Sequence, residues 1–371
     1  MTAHHALGAS SSHRWLNCLG SVDAEKGYKN TSSRSADEGT AAHELAELAL
    51  DGGGKAADFI GQYLPEMTAW QVTQEMADYV QVYIDYVTAI SGEHFYEERV
   101  SYSDWVKDAY GTADAIVIDG DTIHVIDLKY GKGVKVYAEN NSQAMLYALG
   151  SYAEYSMINK LTKVKIVIAQ PRLDHIDEWE ISVDDLLKWG AWVSEQATLI
   201  YEGNQPRTPS EKACHWCKAK AECGALKRHT ENIILSSFDE LDLSNADTLT
   251  DVQLRKALES KKLIVSWLDA VESLVKDRRN DGQTFDGFKL VAGRSLRKWE
   301  SEEVAEKRLK LLLGEDAYEK KILTPAKAEK VLGKVKSKDI QNIIVKPVGS
   351  PTLAPERDKR PSVSITANDF D

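Results

Sequence analysis

Asp114 closes the run Gly111-Thr112-Ala113-Asp114, and Asp127-Leu128-Lys129 follows a short turn later. Asp114-Ala115-Ile116-Val117-Ile118 reads as one β-run and Thr122-Ile123-His124-Val125-Ile126-Asp127 as a second, with Asp119-Gly120-Asp121 as the turn between them. A hairpin of that length brings Asp114 close to the strand end that carries Asp127. Asp127 and Lys129 are two residues apart, so both side chains leave the same face. Two carboxylates and the Leu128 carbonyl supply the hard oxygen ligands that Mg²⁺ takes. Lys129 beside such an ion can orient or deprotonate a bound water, or stabilise charge on a phosphate. This is the chemistry of metal-dependent phosphodiester hydrolysis. A lone D-x-K at a strand end is also an ordinary solvated arrangement, so the rest of the chain has to support the reading.

The cysteines suggest a second chemistry. Cys214, Cys217 and Cys223 form C-x2-C-x5-C after Pro206 and Pro209, and Cys18 is the only other cysteine. In a reducing compartment a disulfide framework is not expected, and so tight a cluster reads as metal ligation. Zinc and an iron–sulfur cluster both take thiolates, and a [4Fe–4S] cluster takes four. Cys18 would then be the fourth ligand, closing a long loop.

These side chains need a framework. A helix over Ala41–Leu50, with Thr40 as a plausible cap, ends at Gly52-Gly53-Gly54. A longer amphipathic helix is predicted over residues 68–91, from the spacing of Met76, Tyr79, Val80, Tyr83, Val87 and Ile90. A strand over 95–102 precedes the two motif strands. A helix over 142–159, strands at 164–170 and 179–183, and a helix over 183–201 follow. The order implies an α/β core, a central sheet flanked by helices. Beyond residue 230 the character changes. Leu254, Leu258, Val265, Leu268, Val271 and Val275 mark one face of a long helix, a small hairpin is predicted over 285–299, and Thr324-Pro325 caps a further helix. The expected division is a first domain over 1–230, a mainly helical accessory domain over 231–346, and a disordered tail over 347–371.

With 43% hydrophobic and 28% charged residues the chain is of ordinary globular composition. It has no membrane-length apolar run and its N-terminus lacks signal-peptide character, so a cytoplasmic location and no membrane partner are expected. A net charge of −12 argues against binding nucleic acid by charge over the whole surface. A carboxylate metal site is itself acidic, however, and a local basic groove can coexist with it. The lysines of residues 320–346 read first as a solvated helix face.

Several motifs then agree in order and spacing: Trp15-Leu16-Asn17-Cys18, His43 on a helix, Glu98 in the strand before the hairpin, and Gly111-Thr112-Ala113-Asp114. Asp127-Leu128-Lys129, Gln143-Ala144-Met145-Leu146-Tyr147, and the closing Cys214, Cys217 and Cys223 complete the series. Over residues 10–225 the chain resembles the PD-(D/E)xK nuclease superfamily, and within it the RecB-like exonucleases with a four-cysteine iron–sulfur staple. The nearest resemblance is to phage and prophage proteins with an uncharacterised C-terminal extension.

The resemblance implies a restriction-endonuclease-like core, a mixed sheet flanked by helices and stapled by a [4Fe–4S] cluster held by Cys18, Cys214, Cys217 and Cys223, with zinc as the alternative. It implies that Asp114, Asp127 and the Leu128 carbonyl ligate Mg²⁺ or Mn²⁺, that His43 approaches the same ion, and that Lys129 serves the attacking water. Gln143 and Tyr147, four apart on one helix, would position the DNA strand or Lys129. Glu98 is an additional candidate, with Glu97 as its alternative. Leu19-Gly20 stands where many relatives have a proline after the first cysteine. The implied function is a metal-dependent DNA exonuclease of phage recombination or DNA processing. Its partners would be DNA and a recombination or single-strand annealing protein. The alternative is a catalytically weak nuclease-fold module that binds DNA or recruits partners through its C-terminal region.

Overall fold

The computed structural model describes residues 5–28, 33–238, 251–288 and 302–313. It divides into two units, Met1–Gln283 and Thr284–Asp371. The expected boundary near residue 231 falls inside a helix of the first unit, Gly224–Phe238. The expected 285–299 hairpin lies mostly outside the described residues, and the Thr324 cap and the tail lie wholly outside them.

The first unit is an α/β layer structure. Its sheet has the order β1-β2-β3-β4-β5: β1 (Glu93–Ser101), β2 (Tyr110–Asp119), β3 (Thr122–Leu128), β4 (Lys163–Gln170) and β5 (His175–Ser182). All neighbours pair antiparallel except β3 and β4, which are parallel, so the sheet is mixed. A parallel pair needs a crossover rather than a hairpin. Helix α5 (Ser142–Tyr155) provides it, capped by the Asn141 side chain, which accepts from the Ala144 N–H.

Before the sheet come two short helices, α1 (Ser12–Trp15) and α2 (Ser21–Ala24), then α3 (Arg34–Asp51) and α4 (Gln74–Thr88). Helix α3 starts about two turns earlier than expected, because the Ser33 hydroxyl rather than Thr40 caps it, at the Ala36 N–H. Helix α4 starts later, at a Thr73 cap on the Met76 N–H, and Gln71 in the preceding segment forms a bridge with Tyr63. After the sheet come α6 (Val183–Glu202), α7 (Glu211–Cys214), α8 (Gly224–Phe238) and α9 (Asp251–Asn280). Helix α10 (Glu302–Leu313) lies in the second unit.

The inner strands are buried on both faces, and their alternation sorts the core into two layers. Ile123, Val125, Ile166 and Ile168 pack with α5 and α6, while Ile126, Leu128, Val167 and Ala169 pack with α3 and α4. Ile126 is fully buried, and truncating such a residue to Ala costs about 2–5 kcal/mol. Edge strand β5 alternates between half-buried and exposed along its length. Helix α9 forms as its sequence indicates but does not bury the expected face. Leu254, Leu258, Val265 and Leu268 are exposed, and Leu263 is buried against Cys214 and Leu226 instead. The segment around α7 and α8 selects the packed face, a long-range choice that helical periodicity does not encode. No helix among the described residues is long and apolar enough to cross a membrane.

Candidate functional site

Strand register builds the first site. Along β2, Ala113 packs on the α5 side and Ala115, two residues on, on the α3–α4 side, so the pleat alternation breaks at Asp114. Opposite it on β1, Glu97 has φ 45°, and the 97–114 position interrupts otherwise continuous β1–β2 pairing. A non-glycine residue in that backbone region is strained. The distortion brings Glu97 and Asp114 together with His43 of α3, and one ligand atom from each lies within 4.8 Å of the others. His43 Nδ1 is 3.2 Å from Asp114 Oδ1, and Asp114 Oδ2 accepts the Leu128 N–H at 2.7 Å. Asp114 is thereby tied to the end of β3, where the Leu128 carbonyl and Asp127 also lie.

Lys129 Nζ donates to Asp127 Oδ1 at 2.9 Å and to Gln143 Oε1 at 3.2 Å, and Gln143 Nε2 donates to the Tyr147 hydroxyl at 3.2 Å. The i, i+4 pair on α5 therefore forms a relay ending on the lysine. Gly111 is required here by close approach, since a Cβ would stand 2.5 Å from Tyr147 Cε1.

The charges of this cluster are strongly interdependent. Burial drives the Asp114 carboxyl upward, but His43, Lys129 and the Leu128 N–H outweigh it and leave it below the usual carboxylate range. Burial raises Asp127, Lys129 opposes that, and the Asp114 charge adds to the rise. Burial and then the Asp114 charge lift Glu97 to about 7. For His43, burial works against the charged form, yet Asp114 overrides it and raises the imidazole to about 9. Lys129 is held protonated in the same way by Asp127 and Asp114, against its burial.

Several features suit a hard divalent cation. His43, Glu97 and Asp114 offer two carboxylates and an imidazole within reach of one ion, and the buried Asp127 beside them is held by Lys129, whose Nζ lies 2.9 Å from Oδ1 and 2.8 Å from Oδ2.

The cysteines approach one another at the far end of α1. Gly20 makes this possible: its N–H donates to the Pro206 carbonyl at 3.3 Å, and a Cβ there would stand 2.4 Å from the Gln205 carbonyl oxygen. Backbone thus lies against backbone, and Cys18, Cys214, Cys217 and Cys223 line one cavity with Arg207 and Lys220. No three of the sulfurs lie within 4.8 Å of one another. A tetrahedral zinc, with Zn–S near 2.3 Å, would hold its sulfurs roughly 3.8 Å apart. Burial raises the Cys18 and Cys214 thiols and pushes Cys217 up to about 12, outweighing the nearby cations. Thiols so placed rest protonated, and a metal would have to displace those protons.

Residues 4–361 match a family described as a protein of unknown function, DUF2800. The chain belongs to that family. The match runs through both units of this DUF2800 chain, so the residues beyond 283 fall within the family's span along with the sheet.

Of the sequence-derived site residues, the structure brings His43, Asp114, Asp127, Lys129, Gln143 and Tyr147 into one contiguous set. Glu98 is not among them. It lies near Tyr155, and Glu97 occupies the cluster, because a one-residue step along a strand turns the side chain to the other face. Tyr83 of α4 was missed as well. It is 1% exposed, its hydroxyl has no partner, and the charges of Asp114, Glu97 and Asp127 all bear on it. Its helical spacing reads as core, and nothing local marks it otherwise. Glu44, next to His43, serves structure: its carboxylate accepts the Glu66 and Met67 N–H groups at 2.6 and 2.9 Å.

Proposed function

We propose that this chain is a divalent-metal-dependent nuclease of the PD-(D/E)xK type that hydrolyses phosphodiester bonds in DNA, acting as an exonuclease. The observation that carries the reading is the convergence of His43, Glu97 and Asp114, tied through the Leu128 N–H to the Asp127–Lys129–Gln143–Tyr147 chain of contacts. Mg²⁺ or Mn²⁺, when bound, polarises the phosphate and lowers the pKa of a coordinated water. Asp114, Asp127, Glu97 and His43 are the residues to hold it. Lys129, kept protonated by its carboxylate partners, acts as a fixed ammonium that stabilises charge developing on the phosphate rather than as a base at rest. Gln143 and Tyr147 aim it.

Cys18, Cys214, Cys217 and Cys223, which line one cavity, are the residues that would hold an iron–sulfur cluster, and its four thiolate bonds would staple the two segments. Helix α1 would carry its stapling effect to the acid cluster. Ser12 Oγ is 2.7 Å from Ser142 Oγ, the residue before Gln143, while Arg14 pairs with Glu25 at 2.8 Å, and Glu25 accepts the Lys218 N–H at 2.7 Å in the cysteine segment.

The test is degradation of end-labelled linear DNA in Mg²⁺ or Mn²⁺. Wild type should shorten it from an end, whereas Asp127→Ala should not. Equal turnover by the two proteins would remove the site from the reaction.

A further inference from the structure

Between Lys129 and α5 the chain runs through Tyr130-Gly131-Lys132-Gly133-Val134-Lys135-Val136-Tyr137. Both stems of this loop are fastened. Tyr130 is buried, with the Arg172 guanidinium 4.6 Å from its ring centroid. Gln170, buried at the end of β4, accepts the Val136 N–H at 2.7 Å and donates to the Val134 carbonyl at 3.0 Å. Asp177 accepts the Ala138 N–H at 2.7 Å, and His175 Nε2 lies 3.0 Å from the Val136 carbonyl.

The tip is different. No backbone N–H from Gly131 to Lys135 finds an acceptor among the described residues. Neither Gly131 nor Gly133 has a positive φ, and a Cβ on either would meet nothing within 4 Å. The fold itself therefore gives no reason for glycine at these positions. Without a side chain at either position, the backbone here is open to close approach from outside the chain. Lys132 and Lys135 are exposed, Lys132 Nζ lying 3.1 Å from Glu75 Oε1 at the surface, and Val134 and Tyr137 are 72% and 53% exposed, with the Tyr137 ring edge-on to His175 at 5.4 Å between centroids. The stretch 130–138 contains no acidic side chain. A loop with free N–H groups, two ammonium groups, one of them shared with the exposed Glu75, and an aromatic ring matches a ligand that only accepts hydrogen bonds and carries stacking rings. Gly131 follows Lys129 by two residues, at most about 7 Å of chain.

We propose that the loop 130–137 seats the phosphodiester backbone of a nucleic-acid strand beside the acid cluster. Its glycine N–H groups and lysines hold phosphates, and Tyr137 stacks on a base. The proposal rests on the nuclease reading, and it adds the strand's position.

Fluorescence anisotropy of the full-length protein with a fluorescein-labelled single-stranded oligonucleotide tests it, with Ca²⁺ replacing Mg²⁺ and salt varied. Tyr137→Ala should weaken binding roughly five- to hundredfold, with Tyr137→Phe restoring it. Lys132→Ala with Lys135→Ala should lower the slope of log K against log salt by about 1.4. Gly131→Ala with Gly133→Ala should weaken binding without lowering the melting temperature, since the fold has room for both methyl groups. If wild type binds and all these variants match it in affinity and slope, the loop assignment fails while the nuclease reading survives. If wild type binds neither this probe nor its duplex, the nuclease reading falls and the loop assignment with it. Equal weakening by Tyr137→Ala and Tyr137→Phe would remove the stacking role.

Discussion

In the acid cluster the chain balances its carboxylates with its own cations, His43 and Lys129, while in the cysteine cavity burial outweighs the nearby cations and raises the Cys18, Cys214 and Cys217 thiols. Both sites gather residues from distant parts of the chain, but they depend on a ligand differently. The acid cluster is organised by strand register and hydrogen bonds before anything binds. The cysteine cavity joins residue 18 to a segment near residue 214 through one close backbone approach at Gly20 and a Cys18 Sγ that accepts the Thr208 N–H at 3.2 Å. Under the proposed function the preorganised charged site would serve chemistry, and the cysteine cavity would serve folding once a metal displaced its thiol protons.

Substitutions that separate activity from stability probe this contrast most strongly. Lys129→Ala should reduce DNA hydrolysis on the order of 10²–10³-fold, the scale for losing one transition-state electrostatic contact, with little change in melting temperature. Cys18→Ser should do the reverse in kind. Protein purified without oxygen should lose broad visible absorption, and a loss of about 3 kcal/mol would lower its melting temperature by roughly 5 °C. If Cys18→Ser melted like wild type, the cavity would have no stapling role. If Lys129→Ala lost stability and kept activity, the two sites would have exchanged roles.

A smaller effect is expected from pH. In the metal-free protein Glu97 titrates near 7, above its unfolded value, so it opposes folding increasingly as pH rises from about 4.5 to 7 and fully above that. His43 has the opposite sign. Its value near 9 stabilises the fold fully below about 6.5, and that stability is lost as pH rises through 9. Glu97→Gln should therefore raise the melting temperature at pH 8 and leave it unchanged at pH 4. Mn²⁺ binding followed by calorimetry should strengthen by up to about tenfold per pH unit for each proton displaced. A pH-independent affinity would show that neither group is a ligand.

The smallest effect concerns the link between the two sites. Ser12→Ala removes the contact to Ser142 and should cost about 0.5–1.5 kcal/mol, with a few-fold fall in turnover. A fall as large as that of Lys129→Ala would make α1 part of the catalytic machinery.

Local chemistry made much of this legible in advance. The β2–β3 hairpin, with Gly120 at φ 59° in its turn, needs only neighbouring residues, and so does the i, i+4 spacing of Gln143 and Tyr147. Helix starts were legible only in part. Ser33 and Thr73 cap α3 and α4, but competing capping residues nearby left the choice to tertiary packing. Glu97 against Glu98 was beyond local reading, because it depends on the register of β1 against β2 and on a backbone distortion specific to residue 97.

The sequence by itself determined which residue types were available: a D-x-K hairpin, a C-x2-C-x5-C cluster, and the alternation that makes a sheet with two buried faces. Only the tertiary structure decided that Glu97 and His43 meet Asp114, that Tyr83 stands against the same charges, and that Leu263 rather than the expected stripe of α9 packs against Cys214. Periodicity specifies faces within an element. Which faces meet is set by packing between elements far apart in the chain.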